Sequence, residues 1–300
     1  MAKISILGNG SWGGALAKMW AMHGNDVRVW DKGMDMHTCT RGAEIIVNAV
    51  PSHATREVAR VFAPFFDRKQ VIVNAAKGLE EGTYLTLTEV ITSEINTENI
   101  AAMSGPSHAE EVAENIPTTN IIASKNETLT KKLQQKLSTP TFRLYAGDDV
   151  KGVQLAGCLK NVIAICSGIS DGLKYGDNTR AALITRGIVE MIRLGIALDG
   201  QQKTFLGLAG IGDCIVTATS RHSRNYNAGL LIGQGKSVEE AITQVTMVVE
   251  GVKATKVAYE LANKHNIDCP IINEAYQVIY NKKPPKQAVG DLMTRELKWE

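Results

Sequence analysis

The chain has 300 residues, of which 44% are hydrophobic and 21% charged, and its formal net charge is +2. This length exceeds the usual size of one domain and predicts two, and the composition is that of a soluble globular protein with a sizeable core. The near balance of charge excludes a global field that would recruit nucleic acid or a membrane surface. Any anion must therefore be recognised by a local site.

The cysteines and histidines indicate neither a disulfide framework nor a metal centre. The six histidines include no H-x-x-x-H pair, and the odd number of cysteines includes no C-x-x-C pair: Cys39, Cys158, Cys166, Cys214 and Cys269. This pattern predicts reduced thiols in a cytoplasmic protein without a bound metal. No apolar run approaches the ~20 residues of a membrane-spanning helix, and we expect no signal peptide.

The stretch Gly8-Asn9-Gly10-Ser11-Trp12-Gly13 is a G-x-G-x-x-G motif that follows an apolar run and precedes a helical pattern. In such a motif the first glycine permits a tight turn, the second lets a pyrophosphate approach the backbone, and the third lets the helix pack on its strand. The phosphate then lies at the helix N-terminus, where free N–H groups and the dipole favour an anion. The motif and its context predict a dinucleotide site; a plain turn is the alternative.

Strand and helix patterns alternate from residue 3 to residue 145 and predict a Rossmann-type α/β domain over residues 1–147. From residue 148 the pattern is helical with glycine breaks, which predicts an all-α substrate-binding and catalytic domain over residues 148–300. One connection is unusually short, because only residues 33–44 separate the second predicted strand from the third. A parallel crossover usually needs a dozen or more residues and a helix, so we expect a sheet whose edge is shortened after the second strand.

Asp31 and Lys32 follow the second predicted strand, where this fold chooses between cofactors. An acidic residue there binds the adenine ribose 2′-hydroxyl of NAD, whereas a basic residue accepts the 2′-phosphate of NADP. The two side chains favour opposite cofactors and leave NAD and NADP both open. Two solvated turn residues are the alternative interpretation.

Two further stretches follow later strands at the edge where ligands collect in parallel sheets. Lys77 follows the strand predicted at residues 71–75, and it is either a ligand contact or a solvated lysine. Ser107 and Glu110 have the spacing of a capping box at a helix start, and the same N-terminus suits a phosphate.

A predicted helix over residues 153–169 carries one lysine, Lys160, on a stripe of small residues: Ala156, Gly157, Ala164 and Ser167. A face of small side chains around a lysine predicts a recess that contains an ammonium. Because an unpaired buried charge costs several kcal/mol, Lys160 needs a partner or a ligand. A core lysine that extends its charge to solvent is the alternative.

Residues 206–213 read as a glycine-rich loop whose sole charge is Asp213, and Ser223-Arg224-Asn225 precedes another helical pattern. A hydroxyl, a guanidinium fork and an amide near a helix N-terminus make a suitable phosphate clamp. An ordinary helix cap beside a surface arginine would give the same local pattern.

The chain resembles the bacterial-type NAD(P)-dependent glycerol-3-phosphate dehydrogenases in motifs that span nearly its whole length: GNGSWG, AVPS, AKGLE, SGPSHAEEV, GCLKNVIAI, DGLKYGDNTRAALITRG, GLAGIGDCIVT, SRN and MVVEGV. The resemblance implies reduction of dihydroxyacetone phosphate to sn-glycerol 3-phosphate with NADH or NADPH, for glycerophospholipid synthesis. It implies a small-molecule substrate, no nucleic acid and no stable membrane association, and it leaves a homodimer open.

The resemblance also implies site residues, with Lys160 as the proton donor and acceptor. The implied substrate contacts are Lys77, Gly105, Ser107, Lys160, Asp213, Ser223, Arg224 and Asn225. To the cofactor contacts Gly8, Gly10, Gly13, Asp31 and Lys32 it adds Ser11, Trp12, Lys77, Ala109, Arg224, Val248 and Glu250. Asn161 and Thr217 match supporting polar groups. In the expected reaction Asp213 orients Lys160, Lys77 stabilises the developing charge, and Arg224 with Asn225 holds the phosphate.

The chain departs from the family pattern in one place. The family continues after the second strand through a helix, a loop and a further strand, and this chain lacks most of that segment. Two other functions stay open on the sequence: a related two-domain dehydrogenase of the 2-hydroxyacid type, and a catalytically inactive NAD(P)-binding protein. The first has no need of the Ser223-Arg224-Asn225 clamp, and the second has no reason to retain both Lys160 and Asp213.

Overall fold

The computed structural model describes residues 1–245, 248–297 and 299. The chain divides into two compact units. The first comprises Met1–Gly157 and Lys203–Asp213, and the second comprises Cys158–Gln202 and Cys214–Glu300.

The first unit is built on one sheet. Its strands are β1 (Lys3–Leu7), β2 (Asp26–Trp30), β3 (Ile45–Asn48), β4 (Val71–Asn74), β5 (Ile100–Ser104), β6 (Thr118–Ala123) and β7 (Phe142–Gly147). Their order across the sheet is β2-β1-β3-β4-β5-β6-β7. Strands β1 to β5 run parallel, β6 is antiparallel to β5, and β7 is parallel to β6. The predicted Rossmann-type α/β architecture is confirmed.

Helices account for most of the remaining chain. They are α1 (Ser11–Met22), α2 (Met36–Thr40), α3 (Thr55–Phe62), α4 (Leu87–Glu94), α5 (Ala109–Ala113), α6 (Glu127–Leu137), α7 (Val150–Gly172), α8 (Asp177–Ala197), α9 (Gln202–Phe205), α10 (Asp213–Thr219), α11 (Arg224–Gly233), α12 (Val238–Val245), α13 (Glu250–Lys264), α14 (Pro270–Tyr280) and α15 (Pro285–Met293). The region after β7 is helical, as predicted.

The predicted domain boundary at residues 147 and 148 lies at the end of β7, whereas the compact units divide inside α7. The side chain of Gln154 explains the difference. Its Oε1 accepts hydrogen bonds from Asn74 Nδ2 at 3.2 Å and from the Thr88 N–H at 2.9 Å. These bonds tie the first turns of α7 to the sheet, so those turns fold with the first unit.

Helix α1 is anchored deep in the sheet unit. Trp20 is fully buried, its indole N–H donates to the carbonyl of Leu137 at 2.9 Å, and its ring meets the edge of Phe142. A buried tryptophan contributes a large apolar area, and its N–H requires a partner. This packing fixes the helix whose N-terminus lies within the glycine motif.

The sheet has the shortened edge that the sequence predicts. Within the described residues, β2 pairs only with β1. The connector after β2 holds the short helix α2, which Asp35 caps by accepting the Thr38 N–H at 2.8 Å. Gln70 Nε2 then donates to the carbonyls of Thr40 and Ala43, at 3.0 and 3.1 Å. Hydrogen bonds from Gln70, directly before β4, thus hold the connector in place of a further strand.

In the second unit, α7 and α11 pack backbone against backbone. A Cβ atom added to Gly168 would collide with a carbonyl of α11, and one added to Gly229 would collide with a carbonyl of α7. Gly172 and Gly233 make the same kind of contact one turn further along. Among the described residues, α7 is the one helix long and apolar enough to span a membrane, and that apolar segment is wholly buried in the protein.

Two local predictions are wrong. Ser107 does not form a capping box with Glu110, because α5 begins at Ala109 after His108 and has no side-chain cap, and the Ser107 hydroxyl donates to the Gly105 carbonyl at 3.0 Å. The segment predicted as a glycine-rich loop contains a π-helix over Leu208–Gly212. Gly210 permits this coil, since a Cβ there would collide with the backbone of Phe205.

Candidate active site

The three glycines of the motif have distinct surroundings. Gly8 has φ +109°, and a Cβ there would lie 2.9 Å from the backbone nitrogen of Val50. A Cβ on Gly13 would collide with the Gly8 carbonyl, whereas one on Gly10 would have no neighbour within 4 Å. Gly8 therefore makes the turn, Gly13 permits close helix packing, and Gly10 leaves its backbone accessible, which are the features a pyrophosphate requires.

The N-terminus of α1 adds an anion site beside these glycines. Gly10 is its N-cap, no side chain caps it, and its first turn has no acidic residue, so its first N–H groups are open to an anion. Ser11 is exposed in this turn. The indole N–H of the half-buried Trp12 donates to the Ala75 carbonyl at 3.1 Å, which holds that ring in place.

Asp31 and Lys32 are both exposed at the end of β2. The Lys32 N–H donates to Asp31 Oδ1 at 2.8 Å, and the Met34 N–H donates to the Asp31 carbonyl at 3.0 Å. Asp31 therefore stabilises its own turn, as expected if Asp31 and Lys32 are two solvated turn residues. Both side chains lie where this fold places the adenine ribose, and they leave NAD and NADP open.

Lys77 and Asp213 form an ion pair in the first unit. Lys77 Nζ lies 2.6 Å from Asp213 Oδ2 and donates to the Gly105 carbonyl at 3.1 Å. The Asp213 side chain is 1% exposed and that of Lys77 is 20% exposed. The lysine stem passes Gly157, where a Cβ would lie 3.6 Å from Lys77 Cγ. Lys77, Gly105 and Asp213, all predicted substrate contacts, therefore lie together.

Two unsatisfied polar atoms lie near this ion pair, and no sequence pattern predicted them. Ser104 Oγ and Asn120 Oδ1 are buried with no hydrogen-bond partner in the described part of the chain. A Cβ on Gly105 would come within 2.5 Å of Asn120 Oδ1, and Asn120 Nδ2 donates weakly to Ser107 Oγ at 3.4 Å. Unsatisfied buried atoms are rare in native proteins and indicate a ligand or water. An asparagine directly before the apolar residues of β6 is the signal that would have drawn attention to Asn120.

A second polar group missed at the sequence level supports the loop that carries Lys77. Asn48 and Asn74 end β3 and β4 side by side, and Asn48 Nδ2 donates to Asn74 Oδ1 at 2.9 Å. Asn74 Nδ2 in turn donates to the Ala76 carbonyl at 3.1 Å. Since Ala76 directly precedes Lys77, this buried amide pair fixes the start of the lysine loop.

Lys160 is buried in the second unit, with 5% of its surface exposed. Its Nζ donates to the hydroxyl of Thr217 on α10 at 2.6 Å. The stripe of small residues was predicted to leave a recess around Lys160, but part of it is packed. The Ser167 hydroxyl of that stripe donates to the Ala218 carbonyl at 2.7 Å and so joins α7 to α10. The structure thus gives Lys160 a hydroxyl partner and packs part of its stripe.

Asn161 and Asn225 connect three helices of the second unit. Asn225 Nδ2 donates to Asn161 Oδ1 at 2.9 Å, and Asn225 Oδ1 accepts the Gly251 N–H at 2.9 Å. A Cβ on Gly251 would lie 2.9 Å from that same oxygen, so the contact requires glycine. Asn225, a predicted substrate contact, is therefore held rigidly between α7 and α13.

Ser223 and Arg224 lie at the start of α11. Ser223 is the N-cap, and its Oγ accepts the Tyr226 N–H at 3.2 Å, so the capping alternative is correct for this residue. Arg224 is half-buried and has no ion pair within the described ranges. A guanidinium beside open N–H groups at a helix N-terminus suits a phosphate.

Three predicted cofactor contacts lie outside these groups. Ala109 begins α5 and packs against the main core cluster of the first unit. Val248 is 41% exposed, and Glu250 occupies the first turn of α13. Among the described residues, no three His, Cys, Asp or Glu side chains lie close enough to hold a metal ion.

Comparison with known sequences identifies the family. The family described as NAD-dependent glycerol-3-phosphate dehydrogenase matches in both parts, its C-terminus over residues 149–290 and its N-terminus over residues 3–35 and 31–130. The chain belongs to the NAD-dependent glycerol-3-phosphate dehydrogenase family. The resemblance inferred from the motifs is thereby confirmed, and the N-terminal match breaks at the short connector after β2.

Individual members of the glycerol-3-phosphate dehydrogenase family are similar over their whole length. The glycerol-3-phosphate dehydrogenase [NAD(P)+] of Desulfitobacterium hafniense is 44% identical over 328 residues, covering 100% of this chain and 93% of that protein. That of Fusobacterium nucleatum is 44% identical over 331 residues, with 100% and 99% covered. The crystal structure of glycerol-3-phosphate dehydrogenase from Coxiella burnetii has a TM-score of 0.93 at 38% identity, covering 98% of this chain and 99% of that one.

Proposed function

We propose that this chain reduces dihydroxyacetone phosphate to sn-glycerol 3-phosphate with NADH or NADPH. The observation that carries the proposal is the buried Lys160 with its hydroxyl partner Thr217, in a chain of the glycerol-3-phosphate dehydrogenase family. The product supplies the backbone of glycerophospholipids, and we propose a cytoplasmic enzyme. A homodimer is compatible with the proposal but is not required by it.

The residues of the first unit fit a dinucleotide. The open backbone at Gly10 and the uncapped N-terminus of α1 suit the pyrophosphate, and Ser11 and Trp12 lie in the same turn. Asp31 and Lys32 would contact the adenine ribose, and Ala109 of this unit with Val248 and Glu250 of the second unit would complete the contacts. When bound, the nicotinamide supplies the hydride that reduces the C2 carbonyl of the substrate.

Lys160 would supply the proton. A protonated Nζ near the C2 oxygen donates its proton as negative charge develops there, and in the reverse reaction the neutral amine accepts it. The Thr217 hydroxyl accepts one N–H of the ammonium and fixes the direction of the others. Lys77 would stabilise the same developing charge. Since Asp213 is the ion-pair partner of Lys77, we propose that Asp213 holds Lys77 in position.

Arg224 and the N-terminus of α11 would bind the substrate phosphate, with Ser223 and Asn225 shaping that turn. The phosphate does not react, so its binding energy serves to hold the carbonyl in position. Gly105 and Ser107 would contact the substrate beside Lys77. This arrangement distinguishes the proposal from a related 2-hydroxyacid dehydrogenase, which has no phosphate to bind.

The test is an absorbance assay of NADH and NADPH oxidation with dihydroxyacetone phosphate and, as a control, with dihydroxyacetone. We expect turnover of the phosphorylated substrate and at least about 100-fold lower kcat/KM without the phosphate, because charged hydrogen bonds contribute about 1.5–3 kcal/mol each. Arg224→Ala should raise KM for the phosphorylated substrate about 10- to 100-fold. Arg221→Ala, which changes an exposed arginine just before α11, is the matched control and should leave KM within about twofold. No turnover with either cofactor would refute the proposal.

A further inference from the structure

Two side chains attach the first turn of α11 to neighbouring helices, and Arg224 belongs to this turn. The Asn225 amide is hydrogen-bonded to α7 and to α13. The second attachment is the hydroxyl of Tyr226, which donates to Asp171. Asp171 begins the motif DGLKYGDNTRAALITRG, which supplies none of the proposed substrate or cofactor contacts.

The hydrogen bond of Tyr226 is short and ends on a carboxylate. Its Oη lies 2.5 Å from Asp171 Oδ2, and the tyrosine is 7% exposed. Asp171 lies near the C-terminal end of α7, so the bond joins α7 to α11. Hydrogen bonds to ionised groups are roughly twice as strong as those between neutral groups. Burial and the Asp171 carboxylate both raise the pKa of Tyr226, so the phenol remains the donor.

Arg180 on α8 restrains the acceptor of this bond. Its Nη1 lies 2.8 Å from the same Asp171 Oδ2, and its Nη2 lies 2.5 Å from Asp177 Oδ1. The side chains of Arg180 and Asp171 are both half-buried. The carboxylate that holds Tyr226 is therefore fixed by a third helix.

The turn that Tyr226 attaches carries the donors of the proposed phosphate site. Ser223 caps α11 by accepting the Tyr226 N–H at 3.2 Å, and the Ser223 carbonyl accepts the Asn227 N–H at 2.9 Å. The N–H groups of Arg224 and Asn225 precede these bonds, and the first N–H groups of a helix have no acceptor within it. Together with the Arg224 guanidinium they suit a phosphate. Since Tyr226 belongs to the same turn, its attachment sets the position of these donors.

The glycine contact between α7 and α11 does not replace this attachment. A Cβ on Gly168 would lie 2.0 Å from the Tyr226 carbonyl oxygen, so the two backbones touch here. A glycine presents no side chain that would resist rotation of the turn about the axis of α11. The Tyr226 hydroxyl, at the end of a rigid ring, does resist it. The glycine contact thus sets the distance between the helices, and the hydroxyl sets the orientation of the turn.

We propose that Tyr226 is a positioning residue for the substrate phosphate, and that it acts through Asp171 by fixing the turn that carries Arg224. This role rests on the proposed reduction of dihydroxyacetone phosphate, in which Arg224 binds the phosphate. Tyr226 needs no contact with substrate or cofactor to fulfil it. Loss of the hydroxyl should therefore weaken binding of the substrate and leave the proton donor in place.

Tyr226→Phe tests the proposal, because it retains the buried ring and removes the hydroxyl alone. We expect KM for dihydroxyacetone phosphate to rise about 3- to 30-fold with kcat within about threefold of wild type, because the phosphate contact is displaced and not deleted. A smaller amount of folded protein would instead lower kcat and leave KM unchanged. Tyr280→Phe is the matched control. It removes a hydroxyl that donates to the Val252 carbonyl at 2.9 Å in the same unit, and it should leave both parameters within about twofold.

A double-mutant cycle separates positioning from an independent defect. If Tyr226 acts through Arg224, Tyr226→Phe should change KM by less than about twofold in the Arg224→Ala background. Asp171→Asn alters the same bond from α7 and should raise KM as Tyr226→Phe does. An unchanged KM in Tyr226→Phe, or an equal KM effect in both backgrounds, would overturn the role of Tyr226 alone. No turnover by wild type would refute the proposed reduction, and the role of Tyr226 with it.

Discussion

At the scale of single residues, the proposed reaction depends on Lys160, which is buried together with Thr217. The ammonium of Lys160 is 5% exposed and donates to Thr217 Oγ1 at 2.6 Å. A buried ammonium costs several kcal/mol unless its N–H groups find acceptors. The hydroxyl therefore both stabilises the charge and directs the remaining protons, which makes Thr217 a positioning residue for the proposed proton donor.

Thr217→Val should lower kcat for dihydroxyacetone phosphate reduction by about 5- to 150-fold, because removal of one partner of a buried charged hydrogen bond costs about 1–3 kcal/mol. Thr217→Ser retains the hydroxyl and should stay within about threefold of wild type. The pH profile of kcat distinguishes positioning from a folding defect, since loss of the acceptor should move the limb that reports Lys160. If Val and Ser give equal kcat values and profiles, Thr217 does not position the lysine.

Sequence reasoning selected candidate residues where the chemistry is local and missed those whose contacts are tertiary. Lys77 and Asp213 could be selected as isolated charges at the ends of a strand and a glycine-rich segment, but nothing in the sequence showed that they pair at 2.6 Å. Asn120 was missed because its role depends on Gly105, far away in the sequence. The individual roles proposed for these residues stay predictions until they are measured.

At the scale of elements, strands and long helices followed from periodicity, while caps and tight coils did not. The alternation predicted from residue 3 to residue 145 corresponds to the elements from β1 (Lys3–Leu7) to β7 (Phe142–Gly147). Ser237 and Glu240 form a capping box with both reciprocal hydrogen bonds, whereas the capping box predicted at Ser107 does not form. Both have the same sequence spacing, so the outcome depends on whether a nearby carbonyl competes for the serine hydroxyl, as that of Gly105 does.

The glycine contact between α7 and α11 predicts a large effect from one added methyl group. Gly229→Ala forces a Cβ into a carbonyl of α7, and overpacking of this kind typically costs 1–3 kcal/mol or more. We expect Gly229→Ala to lower the free energy of unfolding by at least about 2 kcal/mol in urea denaturation.

Gly290→Ala is the matched control for that substitution. Gly290 lies within α15, and a Cβ there would have no neighbour within 4 Å. Since alanine is the better helix former, this variant should raise the free energy of unfolding by about 0.5–1 kcal/mol. Similar effects of the two substitutions would contradict backbone contact between α7 and α11.

Glu190 joins α8 to the N-terminus of α14. Its carboxylate accepts the N–H groups of Ile271 and Ile272. Burial raises the pKa of Glu190 from an ordinary value of 4.5 to about 7, although the two backbone N–H groups oppose that shift. The folded protein therefore binds a proton between about pH 4.5 and 7 that the unfolded chain has released. This residue's contribution to stability falls as pH rises through that window.

Glu190→Gln should remove this pH dependence. The free energy of unfolding of the variant, relative to wild type, should rise by about 2–3 kcal/mol between pH 5 and pH 8, since one pKa unit corresponds to about 1.4 kcal/mol. The comparison by urea denaturation at the two pH values cancels the titration of the other acids, which both proteins share. A difference that does not vary with pH would show that Glu190 is already ionised in the folded protein at pH 5.

At the scale of the whole molecule, the sheet forms with a short connector after β2, at which the match to the N-terminal part of the family breaks. The sheet ends at β2, and hydrogen bonds from Gln70 close the connector. The fold class could be predicted because the glycine motif and the alternation of strands and helices both indicate a mainly parallel sheet. The division of the chain into units could not, since the first turns of α7 join the sheet through Gln154, whose partners at Asn74 and Thr88 are far away in the sequence.

The most direct test of the proposed function is the kcat of Lys160→Ala with dihydroxyacetone phosphate, measured alongside the binding of NADH to the same variant. We predict that kcat falls by at least about 100-fold, the lower bound for loss of a general acid, while the Kd for NADH stays within about threefold of wild type. A kcat within a few fold of wild type would show that Lys160 is not the proton donor.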